Sequence, residues 1–133
     1  MTQTAKGTFI VSMQPMTFEG IDPGVKLGRM SIDKQIHGDL TASTKGQMLS
    51  AMTDTDGSAG YVAIECVAGA LNGRRGTFVL QHTGTMNRGV QSLAVTVVPD
   101  SGTEELVGLE GEFKINIVGG EHFYEFTYRL PGQ

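Results

Sequence analysis

The stretch Leu71-Asn-Gly-Arg-Arg-Gly-Thr-Phe78, which continues as Val79-Leu-Gln-His82, decides the fold. Its pattern, Leu-x-Gly-x-x-Gly-x-Phe, returns in Leu106-Val-Gly-Leu-Glu-Gly-Glu-Phe113. After each phenylalanine, apolar and polar residues alternate with the period of a β-strand. Paired glycines before such a strand are typical of a bend where side chains would clash. A nucleotide-binding glycine loop would be followed by a helix, so that kind of site is not predicted here.

The same alternation runs through most of the chain, separated by Gly-rich turns, and no segment has a convincing helical period. Leu40–Thr44 and Gln47–Thr53 are predicted as two arms of a hairpin around Lys45-Gly46. We therefore predict one all-β domain over residues 1–133, a small closed antiparallel barrel of about eight strands. The predicted strands cover 8–13, 25–36, 40–44, 47–53, 60–68, 77–83, 91–98, 112–118 and 122–130.

The composition of the chain indicates which partners and which cellular compartment to expect. The net charge is −4 and no basic face forms, so nucleic acid is not an expected partner. Cys66 is the single cysteine, which excludes an intramolecular disulfide, and no apolar run approaches a transmembrane length. We expect a cytoplasmic protein without a membrane role. Neither a metal nor another cofactor is predicted, because His37, His82 and His122 are far apart in sequence.

Four segments carry a resemblance to a known family. They are Gly60-Tyr-Val-Ala-Ile-Glu65, Gly73-Arg-Arg-Gly-Thr-Phe-Val-Leu-Gln-His82, Val98-Pro-Asp-Ser-Gly-Thr103 with Leu106-Val-Gly-Leu-Glu-Gly111, and His122-Phe-Tyr-Glu-Phe-Thr-Tyr128. Together they resemble the bacterial domain-of-unknown-function family 3224 over nearly the whole chain. The resemblance implies a closed barrel of the allene oxide cyclase type, related to dirigent-like barrels that guide reactive molecules in a mostly apolar cavity. It carries no established catalytic residue.

The apolar phase of each strand predicts which side chains face the barrel interior. On the segment from 60 to 68 that phase contains Val62, Ile64 and Cys66. The candidate cavity-lining residues with polar tips are His82, His122, Tyr124, Tyr128 and Cys66. They would bind a polar ligand head or act as general acid and base. The alternative is that the histidine and tyrosines only hydrogen-bond to backbone at the rim of a filled core, with Cys66 as an inert core residue.

Glu65 falls in the opposite phase, with Tyr61, Ala63 and Val67, and is expected outside the barrel core. Two interpretations stay open for it. It is either a buried carboxylate with a raised pKa or a rim residue paired with Arg74 or Arg75. Tyr61, Glu65 and Arg75 are therefore candidate polar or interface residues.

Two functions compete. The first is a small-molecule binding barrel for an apolar or amphipathic molecule, with an isomerase-like or cyclase-like activity as its catalytic form. The second is a non-catalytic module for self-association or partner binding. Tyr61, Ala63, Val67 and Val79 form the predicted outward apolar set, which favours a homodimer that Val67→Lys would dissociate.

Overall fold

The chain forms a closed antiparallel barrel of eight strands, as predicted from the sequence. The computed structural model describes residues 2–22 and 24–132, so Met1 and Gln133, the ends of the predicted domain, lie outside it. Each strand pairs with the next along the chain, and the first pairs with the last. The strands are β1 (Gln3–Met16), β2 (Leu27–Gly38), β3 (Leu40–Met52), β4 (Ala59–Leu71), β5 (Arg74–Asn87), β6 (Val90–Val97), β7 (Glu110–Val118) and β8 (Glu121–Arg129).

The repeated glycine pattern has the same structural role twice. Gly73 and Gly108 adopt positive φ angles of 85° in the turns that precede β5 and β7, a conformation that favours glycine. The leucine and phenylalanine at the two ends of each copy are buried in the core. Each copy is thus a bend that feeds a strand into the barrel, which confirms the interpretation from the sequence.

One end of the barrel is filled with apolar side chains, and we call it the closed end. It lies where β2, β4 and β8 finish and where the 3₁₀ turn Glu104–Leu106 packs against β5. Phe78 and Phe126 stack there with ring centroids 5.7 Å apart. The buried residues of this end include Leu40, Leu71, Phe78, Leu106, Leu109, Tyr128 and Leu130.

The opposite end, which we call the open end, is less completely covered. Met13, Leu93 and Ile117 belong to the inward phase of their strands, yet they are 41%, 47% and 61% exposed. Over the described residues, β6 and β7 are joined in register at one pair, Thr96 and Glu112. This is the least extensive pairing between neighbouring strands of the barrel, and we call it the β6–β7 seam.

The predicted hairpin around Lys45-Gly46 is wrong, because both residues lie inside the continuous strand β3. Lys45 pairs in register with Asp33 and Cys66, and Gly46 with Ile32 and Glu65. A Cβ on Gly46 would come within 2.7 Å of the Glu65 Cα. The glycine therefore marks a close approach of two strands and not a turn.

The predicted phase of β4 is also wrong. Val62 and Ile64 are 50% and 54% exposed, and Cys66 is exposed as well, so this set faces outward. The inward set is Tyr61, Ala63, Glu65 and Val67. Because side chains alternate between the two faces of a strand, a shift of one residue exchanges the whole set. Both phases of β4 are apolar enough to fill a core, and the pattern alone chose the wrong one.

No helix among the described residues is long and apolar enough to cross a membrane.

Candidate functional site

A cluster of charged and polar side chains lies inside the barrel, between the apolar closed end and the open end. Its centre is Glu65, which is 0% exposed, and its other members are Lys34, Thr44 and His82, all buried. Strands β2, β3, β4 and β5 contribute one residue each. The strand register brings these residues together. Lys34 pairs with Thr44, and Thr44 pairs with Val67, which is the next inward-facing residue after Glu65 on β4.

The carboxylate of Glu65 is the acceptor for all three neighbours. Lys34 Nζ lies 3.1 Å from Glu65 Oε1 and His82 Nε2 lies 2.9 Å from the same oxygen, while the Thr44 hydroxyl donates to Oε2. Burial alone would raise the pKa of Glu65. The hydrogen bond from His82, the charge of Lys34 and the hydrogen bond from Thr44 outweigh burial and lower that pKa to about 2. Glu65 is therefore ionised at neutral pH.

Lys34 is held from a second side by aromatic rings. Its ammonium lies 4.8 Å from the ring centroid of Phe9 and 5.9 Å from that of Phe113. Cation–π attraction of this kind is stronger in a desolvated site than at a surface. The ammonium therefore has both an ionic partner and aromatic faces, which together offset the loss of its hydration.

Tyr61 connects the buried cluster to the open end. Its hydroxyl lies 3.5 Å from His82 Nδ1, and the residue is only partly buried. Burial, followed by the nearby charge of Glu65, raises the pKa of the Tyr61 phenol. A Cβ on Gly84 would collide with the Tyr61 ring, so the glycine on β5 leaves the space that the ring occupies. The line Tyr61, His82, Glu65 runs from partly exposed to fully buried.

His82 faces the interior as predicted, but two other predictions about this site are wrong. The sequence offered no carboxylate to orient His82, whereas Glu65 does so from β4. Glu65 is buried, but its pKa is lowered and not raised, and its partners are Lys34 and His82 instead of Arg74 or Arg75. Those arginines pair in register with Leu71 and Ala70 at the far end of β4, where the backbone N–H of Arg75 donates to Glu105.

The remaining candidates lie apart from this cluster. The Tyr124 hydroxyl is within 3.1 Å of backbone atoms of His37 and Leu40, and the Tyr128 hydroxyl donates to Gln3 and accepts from Asn72. Both tyrosines are inward as predicted and have their hydrogen bonds made, which fits the structural alternative. His122 is partly buried with its ring 5.0 Å from that of Phe9, and Cys66 is on the outer face.

Sequence reasoning missed Lys34 and Thr44, although a signal was present. Lys34 continues the alternation of Ile32 and Ile36, and Thr44 continues that of Leu40 and Ala42. A lysine at an inward position of an apolar strand requires a buried partner. Within the described residues, no group of three or more His, Cys, Asp or Glu side chains is placed to hold a metal ion.

Comparison with known proteins places the chain in a family. The model of the family described as "Protein of unknown function (DUF3224)" matches residues 5–128. A crystal structure of a protein of unknown function from the DUF3224 family of Shewanella oneidensis MR-1 is similar over 100% of both chains, with 48% identity and a TM-score of 0.93. No curated protein matches significantly.

Proposed function

The chain belongs to the DUF3224 family. We propose that it binds a small apolar or amphipathic molecule in the open end of the barrel. One observation supports this proposal most. At the open end, apolar side chains that point into the barrel are exposed, and the buried polar cluster around Glu65 lies directly below them. Binding sites for small molecules are typically apolar with a few convergent polar groups.

The apolar part of the site is supplied by the partly exposed side chains of Met13, Leu93 and Ile117. Leu93 lies next to Gly84, and Gly84 pairs in register with Tyr61. A bound molecule would place its apolar body against these side chains and its polar head toward the polar cluster below them.

Methyl hexyl ketone is a suitable probe, because it has an apolar chain and a carbonyl that accepts a hydrogen bond. Titration followed by nitrogen–proton NMR correlation spectra is expected to show saturable binding. Leu93→Lys, which puts a charge into the proposed site, is expected to weaken affinity about tenfold or more, equivalent to about 1.4 kcal/mol. Val107→Lys is the matched control, because Val107 is exposed at the closed end. Equal affinity in the two variants would reject the open end as the site.

Native mass spectrometry of freshly purified protein gives an independent measurement. A stoichiometric small molecule that is lost in Leu93→Lys and kept in Val107→Lys would support the proposal and provide its natural ligand. A molecule retained equally by both variants would contradict it.

A second function, self-association, is supported by the outer face of the barrel. Leu49, Val62 and Ile64 are exposed there, along a groove of about 1220 Å³. Exposed apolar patches of this kind favour interfaces. Arg29 and Lys45 line the groove together with Glu19 and Asp33, so a second copy related by a two-fold axis would meet both signs of charge. We therefore propose a homodimer through this face, in place of the surface predicted around Val67.

Sedimentation equilibrium tests the dimer. Ile64→Lys is expected to yield monomers that remain folded, whereas Ile10→Lys, on the outer face of β1, should leave the assembly unchanged. Wild-type protein that sediments as a monomer at high concentration would contradict this proposal. Val67→Lys no longer serves as the test, because Val67 is fully buried and a lysine there should unfold the chain.

A further inference from the structure

The hydrogen bonds of the buried cluster fix the proton positions on His82. Glu65 is ionised and can only accept, so His82 Nε2 carries the proton of that hydrogen bond. In the neutral imidazole, Nδ1 is then left with its lone pair, and Nδ1 is the ring nitrogen that lies toward Tyr61. A carboxylate that orients one ring nitrogen and leaves the other as a base is the arrangement used in nucleophile–histidine–acid triads.

The Tyr61 hydroxyl occupies the position of the outermost group in such a triad. With its pKa raised by burial and by Glu65, Tyr61 is a protonated phenol at neutral pH and donates toward His82 Nδ1. The separation of 3.5 Å is long, and catalytic hydrogen bonds often shorten only when substrate binds. Because Tyr61 is partly exposed toward the open end, its oxygen is the member of the line that a bound molecule can reach.

A further hydroxyl lies beside Tyr61. Ser50 pairs in register with Tyr61 across β3 and β4, so the two side chains share the inward face. Ser50 is partly buried at the same level as Tyr61. Its Oγ lies 3.0 Å from where a Cβ on Gly28 would stand, so the inward face offers a hydroxyl donor for a carbonyl oxygen beside Tyr61.

We propose that Tyr61, His82 and Glu65 form a proton relay that isomerises carbonyl compounds bound in the open end. The inference rests on the proposed function and specifies its substrate class, an amphipathic β,γ-unsaturated ketone. Tyr61 and His82 are the catalytic residues, and Glu65 is a positioning residue that holds the imidazole and stabilises its cation.

The proposed reaction is a proton shift without oxidation or reduction. The Tyr61 oxygen takes a proton from the carbon between the carbonyl and the double bond, while the original phenolic proton moves to His82 Nδ1. The electron pair of the broken C–H bond becomes part of a dienolate, whose negative charge is balanced by the His82 imidazolium. Return of the proton through Tyr61 to the γ carbon gives the conjugated ketone and restores the neutral histidine.

The substrate probe is the β,γ-unsaturated analogue of methyl hexyl ketone, whose conjugation is followed by ultraviolet absorbance. Wild-type protein at saturating probe is expected to convert it faster than buffer that contains an equal concentration of free imidazole. His82→Gln keeps an amide that can donate to Glu65 but has no base, and Tyr61→Phe removes only the hydroxyl. Each is expected to lower the rate about 100-fold or more, the usual scale of general acid–base catalysis. Binding of methyl hexyl ketone should change by less than about twofold, well under the factor of ten that 1.4 kcal/mol represents.

The positioning role of Glu65 is tested in the double variant Lys34→Met with Glu65→Gln. This pair removes both charges together and keeps a carbonyl that accepts from His82 Nε2, so the barrel should fold. The rate at saturating probe should fall while the affinity for methyl hexyl ketone stays the same. A residue with only a structural role would leave that rate unchanged.

His37→Gln is the control, because His37 is exposed near the closed end, and it should convert the probe at the wild-type rate. If methyl hexyl ketone binds at the open end but conversion equals that in imidazole buffer, the relay is refuted and the binding function stands. Full activity in His82→Gln would also refute the relay. If the ketone does not bind at all, the proposed function itself fails.

Discussion

The two ends of the barrel differ in what their inward side chains do. At the closed end, leucine and aromatic side chains pack against one another and the 3₁₀ turn Glu104–Leu106 covers them. At the open end, side chains of the same phase are exposed, and β6 and β7 share a single register pair among the described residues. The charged cluster around Glu65 lies between the two. The difference indicates that one end stabilises the fold and the other is available for a ligand.

The largest expected loss of stability comes from a substitution in the charged cluster that lies between the two ends. Glu65→Leu leaves the Lys34 ammonium buried without its carboxylate, which typically costs 3–5 kcal/mol of unfolding free energy. Urea denaturation measures that loss. The double variant Lys34→Met with Glu65→Leu removes both charges and is expected to recover most of it. A single variant as stable as wild type would show that the ion pair does not hold the barrel together.

Truncating one leucine at each end compares the ends directly. Leu71 is 1% exposed at the closed end, and Leu71→Ala is expected to cost about 2–5 kcal/mol through lost burial and a cavity. Leu93→Ala at the open end should cost less than about 1 kcal/mol, because that side chain is already half in solvent. Similar losses in urea denaturation would mean that the open end is packed in solution.

Acidification tests the state of the cluster. The pKa of Glu65 is lowered from its ordinary 4.5 to about 2 in the folded barrel, so the carboxylate stabilises the fold above pH 4.5. That stabilisation, about 3 kcal/mol at 1.36 kcal/mol for each pH unit, is lost as pH falls from 4.5 toward 2. Between pH 4.5 and 2, the free energy of unfolding should therefore fall more steeply for the wild type than for the double variant Lys34→Met with Glu65→Leu. Parallel curves would contradict the assignment.

The smallest expected effect on stability is at Tyr61. Tyr61→Phe keeps the ring that packs over Gly84 and removes a hydroxyl with one long hydrogen bond, so the unfolding free energy should change by less than about 0.5 kcal/mol. Thermal denaturation measures this. A loss above about 1.5 kcal/mol would make Tyr61 a structural residue like Tyr124 and Tyr128.

The fold was largely predictable, because strand alternation and turn glycines are local signals. The pattern from Leu71 to Phe78 indicates a bend followed by a strand from residues that are adjacent in the sequence. The site was less predictable. His82 was assigned to the interior from its own strand, but its partner depended on the phase of β4, where Val62 and Ile64 outweigh Ala63 and Glu65 in hydrophobicity. Inside the barrel, Lys34 and His82 compensate the Glu65 charge, and no single-strand pattern contains that information.

The most direct test of a binding site at the open end is to identify the residues whose NMR signals shift when methyl hexyl ketone is added to the wild-type protein. A ligand site at the open end predicts saturable shifts at Tyr61, His82, Leu93 and Ile117, with Leu71 and Leu106 at the closed end unchanged. Shifts confined to Val62 and Ile64 on the outer face, or shifts that do not saturate, would contradict a binding site at the open end.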